Sequence, residues 1–161
     1  METRVLAKYA MFAVLVFVAT YALKIPIYHG LPHMGDAVIM ALALTFGKQA
    51  GAVAGALGAM LSALLSGYNI VWLPVSFIIH GLQGYLTGWI GYNSRFFLRR
   101  LLAVVIGGLV MSVLYQIVSF LYYGIGAALP QFIGNVLQFS SGVVVSLILA
   151  SALERVKAMG G

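Results

Sequence analysis

The chain has 161 residues, of which 63% are hydrophobic and only 7% charged, with a formal net charge of +6 at pH 7. A mean hydropathy of +1.06 excludes an ordinary soluble domain, which needs charged surface to stay in solution. The absence of cysteine excludes a disulfide framework, a thiol nucleophile and a thiolate metal site. Apolar segments recur along the whole chain rather than as one leader ahead of a polar domain, so the sequence reads as an integral membrane protein. Its basic residues sit at helix ends, where they act as topology determinants and headgroup anchors rather than as a nucleic-acid surface.

A first span covers residues 5–23, with Arg4 and Lys8 at its entry and Lys24 at its exit. Ile25-Pro26 ends it, because the residue before proline is pushed out of the helical region. Residues 25–35 (IPIYHGLPHMG) form a loop with two prolines, two histidines and a tyrosine. A helix at 36–46 follows, ~17 Å long at ~1.5 Å per residue and too short for the usual ~20-residue crossing. The chain turns at Phe46-Gly47-Lys48-Gln49 and enters a helix at 49–65 built on small residues. Gly47, Gly51, Gly55 and Ala59 recur every four residues, as do Ala50, Ala54, Gly58 and Ser62. Two such stripes let two helices approach closely. They read either as packing inside the bundle or as a docking surface for another subunit.

Residues 66–69 form a turn, and a fourth span at 71–92 carries Trp72 at its start and Trp89 and Tyr92 near its end, as interfacial aromatic belts require. Residues 93–100 (NSRFFLRR) make a basic connection. A fifth span at 101–123, a turn at Gly124-Ile125-Gly126 and a sixth span at 129–153 lead to Glu154, Arg155 and Lys157. The expected fold class is an all-α integral membrane protein, one domain over residues 1–161, a six-transmembrane-helix bundle with a short second helix. Six spans place Arg4, Lys8, Lys48, Arg95, Arg99, Arg100, Arg155 and Lys157 on the side of the termini and Lys24 alone on the other. The positive-inside rule then assigns both termini to the cytoplasm and the loops at 25–35, 66–71 and 124–129 to the outside.

No enzyme signature is present. The only acids are Glu2, Asp36 and Glu154, so there is no paired carboxylate, no HExxH and no phosphate-binding glycine loop, and no cofactor is expected. His29 and His33 stand four apart, but a proline lies between them and no carboxylate accompanies them, so no metal is expected.

Polar residues inside apolar spans cost free energy unless they are paired or line a cavity. In the fourth span Ser76, His80, Gln83 and Thr87 share one helical face, and in the sixth Gln131, Asn135 and Gln138 do the same. Tyr115, Gln116, Ser119, Tyr122 and Tyr123 crowd the outer half of the fifth. Together these faces describe a pocket that is aromatic, polar and uncharged, suited to a small neutral heteroaromatic ligand. The candidate substrate-binding residues are Tyr28, His29, His33, Trp72, Ser76, His80, Gln83, Gln116, Ser119, Gln131, Asn135 and Gln138. For His80 an interhelical hydrogen bond and a ligand contact remain equal readings. Asp36 either stabilises the start of its helix or fastens the 25–35 loop over the pocket.

His33-Met34-Gly35-Asp36-Ala37-Val38-Ile39, Phe46-Gly47, the run GAVAGALGAMLSALLSGY, Trp72-Leu73-Pro74 and Phe77-Ile78-Ile79-His80-Gly81-Leu82 resemble the S components of energy-coupling factor (ECF) transporters. The likeness is to the riboflavin/pyridoxine/hydroxymethylpyrimidine-like branch. It implies a substrate-binding subunit of a bacterial or archaeal cell membrane that takes a vitamin or precursor from outside and occludes it under the first loop. It further implies that the subunit topples against a transmembrane scaffold subunit carrying two ATPase subunits, which perform the hydrolysis. Such subunits dock through small residues of the first helix. Here Ala7, Ala10 and Ala13 stand three apart rather than in AxxxA spacing, and Gly51 and Gly55 of the ladder are further docking candidates. Relatives often carry a lysine near the position of His80 and an acid after the ladder, where this chain has Ser62-Ala63. The expected ligand is pyridoxine- or hydroxymethylpyrimidine-like, ahead of riboflavin or pantothenate. A structural or assembly subunit without ligand is the reading from another class. A stand-alone carrier would need a buried coupling carboxylate, for which Asp36 is the one candidate.

Overall fold

The structure is a computed structural model that describes residues 3–23 and 33–159. They form six helices and no strand: α1 (Thr3–Tyr21), α2 (Gly35–Phe46), α3 (Lys48–Leu65), α4 (Trp72–Gly91), α5 (Phe97–Tyr123) and α6 (Ile125–Met159). The all-helical bundle with a short second helix is as expected. The expectations placed on Lys24 and on residues 25–32, Tyr28 and His29 among them, lie outside the described residues.

The short helix is the axis of the bundle. Its sequence GDAVIMALALTF has only Asp36 and Thr45 as polar side chains, and a helix apolar on every side is stable only when surrounded. Among the described residues α2 touches all five other helices, and no other helix does. From Gly35 to Thr45 every residue except Val38 is buried. Lipid tails are as apolar as leucine, so burying Ile39, Met40, Leu42 and Leu44 gains dense van der Waals contact rather than escape from water.

Around α2 the others form an arc, α1–α3–α4–α5–α6, open between α1 and α6. Lys8 Nζ lies 4.5 Å and Lys157 Nζ 5.5 Å from the centre of the Phe46 ring, so the start of α1 and the ends of α2 and α6 share one end of the bundle. Helices α1, α3 and α5 and the Gln131–Met159 part of α6 are long and apolar enough to cross a membrane. The fold is that of a multi-pass membrane protein. α4 has the length, at 20 residues; its polar face of Ser76, His80, Gln83 and Thr87 lowers its hydropathy and is buried inside the bundle.

Two helices begin earlier than their hydropathy suggests. α5 starts at Phe97, so Arg99 and Arg100 belong to a helix rather than to a connection. Arg99 Nε donates to the Ile90 carbonyl at 2.7 Å, near the end of α4, and Arg100 Nη1 donates to Glu154 Oε2 at 2.8 Å. Lys157 Nζ donates to the Thr45 carbonyl at 3.2 Å, at the end of α2. Cations thus meet the partially negative C-termini of α2 and α4, and these contacts hold the last turns of α6 in helix as far as Met159. The turn before α6 shrinks to Gly124, whose φ of 77° is a conformation that glycine adopts at little cost.

The glycine ladder is spent inside the subunit. A Cβ on Gly84 would collide with the backbone of Gly51, and one on Gly55 with the carbonyl of His80. α3 and α4 therefore meet backbone to backbone. Gly51 and Gly55, the ladder's docking candidates, are both buried against neighbouring helices of this chain. On α1, Ala7 and Ala10 are exposed but Ala13 is buried, because six residues carry it about 120° around the helix from Ala7.

Candidate functional site

At the end of the bundle away from the termini, the helices enclose a cavity of about 320 Å³. α4 supplies Trp72, Ser76 and His80; α5 supplies Met111, Tyr115 and Tyr123; α6 supplies Gln131, Gly134, Asn135 and Gln138. The wall is completed by Thr20 of α1, by His33 just ahead of α2, by Ala59, Ser62 and Ala63 of α3, and by Tyr68 of the following turn. Among the described residues no lysine or arginine lines it. The small residues at the end of the ladder leave room that larger side chains would fill.

One wall is a stack of rings. Trp72 lies between Tyr115 and Tyr123, with centroids 6.0 and 5.9 Å away and interplanar angles of 13° and 18°. Its indole Nε1 donates to Tyr123 Oη at 2.9 Å, which joins the start of α4 to the end of α5. Parallel rings at a cavity wall offer an aromatic ligand a face to stack on.

The floor is a buried polar network tying four helices together. Asp36, wholly buried, accepts a hydrogen bond on Oδ2 from Gln138 Nε2 of α6. His80 Nε2 lies 3.3 Å from Asp36 Oδ1, within ion-pair distance though outside hydrogen-bond geometry. On the other side of the ring, Nδ1 is 3.1 Å from the Ser76 carbonyl and 3.3 Å from Tyr115 Oη, whose hydroxyl donates to Ser76 Oγ at 2.9 Å. A carbonyl only accepts, so the Nδ1 contact is made with the ring hydrogen on that nitrogen. His80 presents its ring to the cavity and holds helices with its nitrogens.

Asp36 does lie in the first turn of α2, but no side chain caps that helix, and the carboxylate reaches across to α4 and α6 instead. An acid in an apolar helix demands a partner at the same depth; a histidine and an amide on other spans were the signal that would have paired it.

Of the candidate residues, the structure brings His33, Trp72, Ser76, His80, Gln131, Asn135 and Gln138 to the cavity. It keeps three away. Gln83 is wholly buried one turn beyond His80, with both amide atoms unpartnered. Gln116 Nε2 donates to the Ala128 carbonyl at 2.9 Å, and Ser119 Oγ donates to Gln131 Oε1. Both therefore fasten α5 to the first turns of α6, and Ser119 orients the Gln131 amide from behind. In Asn135 the amide Nδ2 is buried without a partner. It is a donor with nothing to donate to.

The cavity thus lies at one end of a membrane helix bundle, with stacked rings on its wall and a buried polar network as its floor. The family model for the S component of ECF-type riboflavin transporters matches residues 1–155, and the chain belongs to that family of transporter subunits. It is 33% identical over 142 residues to an uncharacterized protein from the gap 3′ region of Pyrococcus woesei, covering 87% of this chain and 95% of that one. It is also 33% identical over 126 residues to the thiamine precursor transporter HmpT of Lactococcus lactis, covering 78% of this chain and 71% of HmpT. The fold is similar to the S component of a bacterial ECF transporter, with a TM-score of 0.67 at 20% identity over 99% of this chain and 98% of that one. It is similar too to FolT bound with folic acid, with a TM-score of 0.68 at 17% identity over 94% and 95%.

Proposed function

We propose that this chain captures a small neutral heteroaromatic vitamin precursor, hydroxymethylpyrimidine- or pyridoxine-like, for ATP-driven uptake by partner subunits. The observation that carries the reading is a cavity that brings Asn135, whose Nδ2 has no partner, together with the stacked Trp72–Tyr115 wall, with no lysine or arginine among its described lining residues. Stacking binds the ring, and Asn135 donates to a ring nitrogen or hydroxyl. At about 320 Å³ the cavity lies at the small end of the ~300–1,000 Å³ typical of ligand sites, which favours one ring over three. The similarity to a thiamine precursor transporter agrees. Riboflavin is the second reading, favoured by the family model itself.

The end that carries Lys8, Lys48, Arg99, Arg100 and Lys157 faces the cytoplasm by the positive-inside rule, so the cavity opens outward. The partners are a transmembrane scaffold subunit and two ATPase subunits, with Ala7 and Ala10 of α1 exposed for docking. Mass spectrometry of the denatured, purified protein should reveal a retained single-ring heteroaromatic compound. If none is retained and no vitamin raises the melting temperature, the chain is a structural subunit and the reading fails.

A further inference from the structure

A second hollow, of about 510 Å³, lies on the outside of the bundle along the seam of α3 and α4. Ala52, Ala56 and Gly81 form its floor, and Leu57, Phe77 and Tyr85 stand at its rims. The chain cannot fill it by closing up, because a Cβ on Gly81 would already lie 3.2 Å from that of Ala56. The hollow runs along α4 from Phe77 to Tyr85, about 12 Å at ~1.5 Å per residue.

At the Tyr85 end stands Lys48, the first residue of α3, with Nζ 5.3 Å from the centre of the Tyr85 ring. Lys48 is exposed and makes no ion pair among the described residues. The two described acids are engaged elsewhere, Asp36 with His80 and Glu154 with Arg100. An apolar groove in the membrane-facing surface thus ends at an uncompensated cation at the level where a helix leaves the bilayer. Any apolar body fits the groove, but Lys48 selects one with an anionic head.

We propose that the α3–α4 groove holds an acyl chain of an anionic phospholipid whose phosphate sits on Lys48. The chain lies on the alanine and glycine floor between the aromatic rims. Lys48 keeps its ammonium beside the Tyr85 ring, at the polar layer where the headgroup sits.

Native mass spectrometry of the full chain in detergent, offered equal dioleoylphosphatidylglycerol and dioleoylphosphatidylcholine, tests the assignment. Wild type is expected to retain the glycerol lipid about fivefold over the choline lipid, the discrimination one lysine at an anionic surface supplies. Lys48→Gln should abolish that preference, Ala52→Leu should lower retention of both lipids by filling the floor, and Arg155→Gln should leave the preference intact. Equal retention by wild type, or a preference that survives Lys48→Gln, overturns the proposal. A photo-crosslinker at Leu57 in the assembled complex should label phospholipid; labelling of a partner subunit in its place would make the groove a protein interface and overturn it as well.

Discussion

Asp36→Ala is expected to lower the stability of this chain by about 3–5 kcal/mol, the cost of removing one member of a buried, paired charge. The loss does not come from Asp36 alone. Without the carboxylate, Gln138 Nε2 has no acceptor and His80 Nε2 faces an apolar void, so α4 and α6 lose their tie to the central helix. Asp36→Asn keeps an acceptor for Gln138 but offers His80 no charge, so it should fall between the two. Thermal unfolding in detergent followed by circular dichroism measures both. An Asp36→Ala protein that melts with wild type would show that the floor network is not what holds α2 in place.

Asn135→Ala is expected to do the opposite, sparing the fold and damaging ligand capture. Its Nδ2 is buried without a hydrogen-bond partner, a situation that costs about 1–3 kcal/mol by itself. Removing the amide relieves that cost, so the ligand-free variant should melt at or above the wild-type temperature. The same donor is the free polar group a heteroaromatic ligand can use, so affinity should fall about 5- to 150-fold, the equivalent of ~1–3 kcal/mol. Functional sites tolerate such local strain because binding repays it. Melting curves with and without ligand separate the two effects. A variant that loses stability and keeps affinity would make Asn135 a structural residue.

Much of this architecture is written in periodicity. The faces Ser76–His80 on α4 and Gln131–Asn135–Gln138 on α6 are readable because the spacing of their polar residues matches a helical turn. The membrane class follows from composition alone. Depth is harder to read: Gln83 shares the face of His80 and yet lies below the cavity, because where a pocket ends depends on which helices close it.

Gln116 and Ser119 carry the right chemistry but spend it on α6, a pairing that spacing within α5 does not encode. Thr20 and Ser62 belong to the wall because α2 draws α1 and α3 inward. That central role had a signal. A helix as short as Gly35–Phe46 with two polar side chains has no face to show to water or headgroups, and only enclosure on every side satisfies it. The ladder glycines were read as close-approach residues; that Gly51 and Gly55 approach α2 and α4, and Gly58 α1, required the three-dimensional arrangement.

The central claim is that this chain binds a single-ring heteroaromatic compound in the Trp72–Tyr115 cavity. Isothermal titration calorimetry of the purified, ligand-stripped protein with hydroxymethylpyrimidine, pyridoxine and riboflavin tests it most directly. The account predicts saturable one-to-one binding of a single-ring compound, weakened by Asn135→Ala, with riboflavin bound less tightly. Tightest binding of riboflavin, or no heat with any of the three, would contradict it.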